Sequence, residues 1–165
     1  AIYEDASFDT TIREARAAGI PVGGYFYSQA INTQEAVEEA EFVLEVLSRY
    51  PSIEYPVIID IENTPESGRV THAELTQREY TDIVLAFGQR IQQSGHRAMV
   101  YSYKSILEDR VYAEEFASHH IDTWYADYHD IPDAYNGTFT MWQYTNAGTV
   151  DGISGEVDLN LYFGE

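Results

Sequence analysis

The stretch "YPVIIDIEN", Tyr55 to Asn63, sets two carboxylates, Asp60 and Glu62, at the end of a run that otherwise reads as buried strand. A charge buried without a partner is costly, so two of them, two residues apart, need a use. Side chains alternate between the faces of a strand, which places Asp60 and Glu62 on one face and Ile59 and Ile61 on the other. A rise of about 3.3 Å per residue puts the two acidic Cβ atoms roughly 6.5 to 7 Å apart. The polar residues "NTPESG" end the strand, so both acids lie near its C-terminal end, where α/β barrels and open sheets build their sites. Paired carboxylates at that spacing suit glycoside hydrolysis. One stays protonated as general acid to the leaving oxygen, while the other stays ionised beside developing positive charge or orients a group. Their mutual repulsion separates the two apparent pKa values. The plain alternative is a pair that caps backbone amides or meets a Lys or Arg; spacing alone does not choose between the two.

Other chemistries fit less well. The five histidines form no HExxH, His119–His120 falls in a polar connection, and no EF-hand loop is present, so neither a metal nor another cofactor is expected. There is no G-x-S-x-G elbow. With no cysteine in the chain, thiolate chemistry and disulfides are excluded. Nine basic against 28 acidic side chains give a net charge of −19, which argues against nucleic acid or anionic lipid as the main partner. No apolar run reaches the roughly 18 to 20 residues of a membrane span. Aromatic residues gather in pairs near predicted strand ends: Tyr25 with Tyr27, Trp124 with Tyr128, and Trp142 with Tyr144. Flat rings stack on saccharide faces, although any single ring is more often core packing.

The elements that must position these residues read as one domain over 1–165, large enough for a substantial core. "TTIREARAAGIP" is helical with Ile12, Ala15 and Ala18 on one face, and Gly19 ends it. "PVGGYFYS" is a short strand, and Asn32 with Glu35 opens a helix that carries Ala36, Ala40, Val43, Leu44 and Leu47 on one face. After "YPVIIDIEN" come two overlapping start signals, Thr71 with Glu74 and Thr76 with Glu79, of which Thr76 is expected to begin the main helix, ending at Gly95. "RAMVYSY" is a strand, "SILEDRVYAEEFAS" a helix, and "IDTWYADY", "TFTMWQYT" and "EVDLNLYF" are strands. Alternating strands and helices predict a parallel sheet with crossover helices, giving way to strands at the C-terminal end.

Four segments resemble glycoside hydrolase family 25, the lysozyme-type muramidases. "IREARAAGIPVGGYFYS" resembles the family's helix–Gly–strand segment ending in aromatics, and "YPVIIDIEN" its D-x-E strand. "TWYADY" resembles its W-x-A-x-Y strand end, and "MWQYTNAGTVDGISGEVDLNLYFG" its C-terminal signature. The resemblance implies a modified TIM-like (β/α)5β3 barrel and cleavage of the β-1,4 bond between N-acetylmuramic acid and N-acetylglucosamine in peptidoglycan. It implies Glu62 as general acid and Asp60 as its partner, orienting the 2-acetamido group in a substrate-assisted retaining path. Asp158 in "VDLN" becomes the acid of the last strand, and Tyr25, Tyr27, Trp124, Tyr128 and Trp142 become substrate-binding residues. Peptidoglycan glycan strands are the implied partner, at an extracellular or cell-wall location of bacterial or phage origin.

The same resemblance implies two further strands, the first bearing another Asp, ahead of the segment "AIYEDASFD"; Asp5 and Asp9 stand in the wrong place to supply that acid. The barrel is therefore expected to be incomplete at its N-terminal side, with open sheet edges that a second copy or a complementing segment would cover. Turnover by this chain alone is expected to be weak or absent. The competing reading is a non-catalytic peptidoglycan-binding module derived from the fold. A family 18 chitinase-like enzyme shares the D-x-E strand end, but Tyr55 and Ile58 stand where its preceding aspartates belong.

Overall fold

A computed structural model describes residues 2–50, 53–63, 68–129, 135 and 137–164. Helix α1 (Phe8–Ala17) buries Ile12 and stops before Gly19, whose φ of 74° is a conformation glycine adopts without strain. Strand β1 (Gly24–Tyr27) follows. Helix α2 (Thr33–Leu47) begins at Asn32, whose side chain accepts from Glu35 N at 2.9 Å, and buries Ala36, Ala40, Val43 and Leu47 as its apolar spacing requires. Strand β2 (Val57–Asp60) is buried on both faces. Of "TPESGRV", expected as a polar loop after Asn63, residues 64–67 lie outside the described residues, and Arg69 and Val70 are helical.

A short helix α3 (Arg69–His72) precedes α4 (Gln77–Gln93). Of the two start signals, the second operates: Thr76 and Glu79 form a reciprocal capping box, satisfying two of the donors a helix start leaves open. Strand β3 (Ala98–Tyr103) comes next. The helical pattern over 105–118 divides into α5 (Lys104–Asp109) and α6 (Glu114–Ser118). The division has a physical cause in α4. Gln77 Nε2 donates to the Val111 carbonyl at 2.9 Å, and Tyr112 N donates to Thr81 Oγ1 at 2.8 Å. Those backbone groups are thereby taken from the internal ladder of a continuous helix.

Strands β4 (Ile121–Ala126), β5 (Met141–Gly148) and β6 (Val157–Tyr162) complete the sheet. The order is β1-β2-β3-β4-β5-β6. The first five strands run parallel, and β6 returns antiparallel to β5 with register shifts near Thr145. The result is a curled half-barrel sheet, the α/β architecture with a strand-rich end that the sequence predicts, here as part of a barrel. Its convex side carries the main core, where Ile59, Ile61, Val100 and Tyr125 meet Ala40, Val43, Phe87 and Ile91 of α2 and α4. The concave side carries a smaller cluster around Ile58, Met99, Tyr101 and Ala126.

Candidate active site

The register of the sheet assembles the concave face. Tyr27 pairs with Asp60, Asp60 with Tyr101, Tyr101 with Trp124, Trp124 with Met141 and Met141 with Tyr162. Residues paired across a ladder share a face. One continuous row of side chains therefore crosses all six strands, and Asp60 is its acid. Ile59 and Ile61 are fully buried on the convex side, the alternation that the strand pattern predicts.

Asp60 is only 8% exposed, and its Oδ1 makes no hydrogen bond. Burial pushes its pKa up to about 8, and repulsion from Glu62 adds to the shift. Glu62, two residues on and half-buried, is raised in turn by burial and by the charge of Asp158. Asp158 lies on β6, at the exposed rim. No ion pair among the described residues engages Asp60, Glu62 or Asp158. Their charge is left to act on whatever enters the concave face. Asp9, by contrast, is bound to Arg13 and Tyr50 at the start of α1, and Asp5 to Ser7.

Tyrosines surround the acids. Tyr25 is 67% exposed, and the charges of Asp60, Asp158 and Glu62 all raise its pKa after burial has done so. Tyr27 responds to burial first, then to Glu62 and Asp60. Tyr128 responds to burial, and also to Asp158 and Glu62. Trp124 forms the opposite wall, its ring edge-on to Tyr101 at 4.7 Å and its Nε1 donating to Asn160 Oδ1 at 2.9 Å. Five of the expected groove residues therefore meet the acids or line the same face: Tyr25, Tyr27, Trp124, Tyr128 and, from the acidic set, Asp158.

Trp142 does not. It is 8% exposed, belongs to the convex-side core, and donates Nε1 to the Asp127 carbonyl at 2.8 Å. Its expected pairing with Tyr144 holds, with ring centroids 5.7 Å apart, but the pair faces the helices. The reason is parity: Met141 and Gln143 take the concave positions of β5.

The sequence reading passed over Tyr101, Tyr103 and Gln143. Tyr101 and Tyr128 both donate their hydroxyls to Gln143 Oε1, at 2.9 and 2.7 Å, which fixes the floor between β3 and β5. Tyr101 and Tyr103 repeat the i, i+2 aromatic spacing of Tyr25 and Tyr27, and that spacing was the signal available. Beside this face, a groove of about 1040 Å³ runs along β1 between the N-terminal segment and α2, and it shares Tyr25 and Tyr27 with the acid site. Among the described residues no group of three or more His, Asp or Glu side chains is placed to hold a metal ion. Nor is any helix there long and apolar enough to cross a membrane.

Comparison with known proteins agrees with the half-barrel fold. The chain is 24% identical over 160 residues to an autolytic lysozyme from Clostridium acetobutylicum, which covers 97% of this chain and 45% of that protein. It spans about half the length of the curated relatives it matches. Among solved structures, it superposes on the modular autolysin LytC of Streptococcus pneumoniae with a TM-score of 0.81 at 27% identity, covering 96% of this chain and 37% of LytC. It shares its fold with a lysozyme from Streptomyces coelicolor, with a TM-score of 0.81 at 24% identity over 99% of this chain and 76% of that one. The model of the family described as Glycosyl hydrolases family 25 matches residues 1–153. With its paired acids at the end of β2 and its half-barrel sheet, the chain belongs to glycosyl hydrolase family 25.

Proposed function

We propose that this chain is the catalytic module of a peptidoglycan hydrolase that acts at the bacterial cell wall. Its action is that of a muramidase, cleaving the β-1,4 bond between N-acetylmuramic acid and N-acetylglucosamine. The observation that carries the reading is the convergence of Asp60, Glu62 and Asp158 on one aromatic-lined concave face, with no basic partner among the described residues. One relative, LytC of Streptococcus pneumoniae, has been solved in complex with a synthetic peptidoglycan ligand, which supports a glycan strand as the occupant.

In this reading Glu62 is the general acid. It is half-buried at the rim, and burial together with Asp158 raises its pKa. A raised pKa favours the protonated form that donation to a glycosidic oxygen requires. Asp60 sits deeper, and in this reading its carboxyl accepts an N–H from the 2-acetamido group. That contact would align the acetamido oxygen on the anomeric carbon, so that the sugar assists its own bond cleavage and water completes the hydrolysis. Tyr25, Tyr27, Trp124 and Tyr128 supply flat surfaces for the rings on either side.

The test is loss of turbidity of purified peptidoglycan. The arms are this chain, its Glu62→Gln variant, and a longer version carrying the preceding strands that the family resemblance implies. Clearing that disappears in Glu62→Gln supports the reading, in whichever length it occurs. If neither length clears the wall but both sediment with it, the chain is a binding module.

A further inference from the structure

The ladder of β2 ends at Asp60, two residues short of Glu62. Past that point the chain is held by bonds from β3. Ile61 N donates to the Tyr101 carbonyl at 3.1 Å, which extends the parallel pairing by one residue. Ser102 Oγ then donates to the Ile61 carbonyl at 2.7 Å. Asn63 N donates to Tyr103 Oη at 3.0 Å. The last two bonds engage the backbone immediately before and immediately after Glu62, and both come from side chains.

The two side chains approach from opposite faces. Ser102 alternates with Tyr101 and Tyr103, so its hydroxyl lies on the convex side, where it is fully buried among apolar groups. A hydroxyl in such a wall is costly unless it is bonded, and its one bond is to Ile61. Tyr103 stands on the concave side, where burial and then the charge of Glu62 raise its pKa. On the other flank, Ser28 N donates to the Asp60 carbonyl at 3.0 Å, so β1 fixes Asp60 through its own backbone. Asp60 is thus held by ladder bonds, whereas Glu62 depends on two hydroxyls.

We infer that Ser102 and Tyr103 are positioning residues that clamp the Ile61–Asn63 backbone and so set the place of the Glu62 carboxyl at the rim. The inference rests on the proposed role of Glu62. Without the clamp, the segment leaves the sheet after the Ile61 N–H bond, and Glu62 swings into solvent. A carboxyl fixed within a fraction of an ångström differs greatly in proton-transfer efficiency from one on a free chain end.

The experiment follows the titration of Glu62 by carbon-detected NMR with carboxyl-labelled glutamate, its signal assigned by its absence in Glu62→Gln. The arms are the parent chain, Ser102→Ala, Tyr103→Phe and Ser102→Thr. In Ser102→Ala and Tyr103→Phe the Glu62 midpoint should fall towards that of an ordinary glutamate, while buried Glu39 on α2 titrates as before. Ser102→Thr, which keeps the hydroxyl, should restore the parent midpoint. Where the parent clears peptidoglycan, kcat should drop at least tenfold in the first two variants with KM within about twofold. An unchanged Glu62 midpoint in both variants overturns the clamp, even if turnover falls. Should Ser102→Ala fail to fold, Tyr103→Phe on the open side decides the matter alone. The functional reading fails separately, when Glu62→Gln clears the wall as well as the parent does.

Discussion

The charge of Asp158, on β6, raises the pKa of Glu62, just beyond the end of β2, although three strands lie between β2 and β6 in the order of the sheet. Only curvature brings them that close. In a flat sheet neighbouring strands lie about 4.8 Å apart, so the four steps from β2 to β6 would span roughly 20 Å, and charges that far apart are largely screened. The curl therefore does chemical work, because it lets the last strand tune the acid on the second.

Asp158→Asn should lower the Glu62 midpoint without returning it to the ordinary value, since burial is the larger cause of the shift and remains in place. A carboxyl titration of Glu62 in the parent and in Asp158→Asn measures this directly. Wherever turnover is present, the alkaline limb of its pH profile should move to lower pH by the same amount, because the acid loses its proton earlier. An unchanged midpoint would show that the two carboxylates do not interact.

Asp60 should make the fold less stable as pH rises. Its pKa stands at about 8 in the folded chain, well above the ordinary 3.8 of an aspartate, so the folded state binds more protons than the unfolded state between those values. Stability then falls with increasing pH across that window, the reverse of a salt-bridged aspartate. Asp60→Asn removes the ionising group and should flatten that slope. At pH 8 it should be several kcal/mol more stable than the parent, while at pH 4 the two should agree closely. Urea unfolding at both pH values tests this, and the difference between variants cancels the repulsion among the other acids.

Much of this arrangement was legible in the residues themselves. The alternation in "YPVIIDIEN" assigns Asp60 and Glu62 to one face because a buried strand explains Ile59 and Ile61 on the other. Thr76 with Glu79 marks a helix start through local hydrogen bonds alone, and so survives any tertiary context. What was not legible depended on partners distant in sequence. The break between α5 and α6 comes from Gln77 and Thr81, some 30 residues earlier. Parity failed on β5 for a related reason. In "MWQYT" both alternating sets hold residues that either face could accept, and only the pairing of Met141 with Trp124 and of Gln143 with Ala126 decides between them.

Glu39 is a buried carboxylate that the acid site does not use. It is 5% exposed on α2, and its two oxygens accept from Ser28 Oγ at 2.6 Å and Gln29 N at 3.0 Å. Burial raises its pKa despite those bonds. It ties the turn after β1, and with it Tyr27, to the helix behind. Glu39→Ala leaves a buried hydroxyl and an amide without an acceptor and should cost about 2 to 3 kcal/mol. Glu39→Gln keeps an acceptor oxygen and should cost less than half of that. Equal losses in the two variants would mean that packing, not hydrogen bonding, is what Glu39 contributes.

The two tryptophans report separately on the two faces of the sheet. Trp124 stands on the concave wall beside Tyr101, while Trp142 is enclosed on the convex side. Soluble peptidoglycan fragments should therefore change the fluorescence of Trp124 and leave that of Trp142 nearly constant. Trp142→Phe should retain the fluorescence response, and Trp124→Phe should abolish it while still binding through the remaining ring face. Trp124→Ala, which also removes the stacking surface, should weaken binding on the order of tenfold, equivalent to about 1.4 kcal/mol. A response that follows Trp142 instead would put the glycan on the helix side of the sheet, away from Asp60 and Glu62, and would remove the basis for assigning those acids to catalysis.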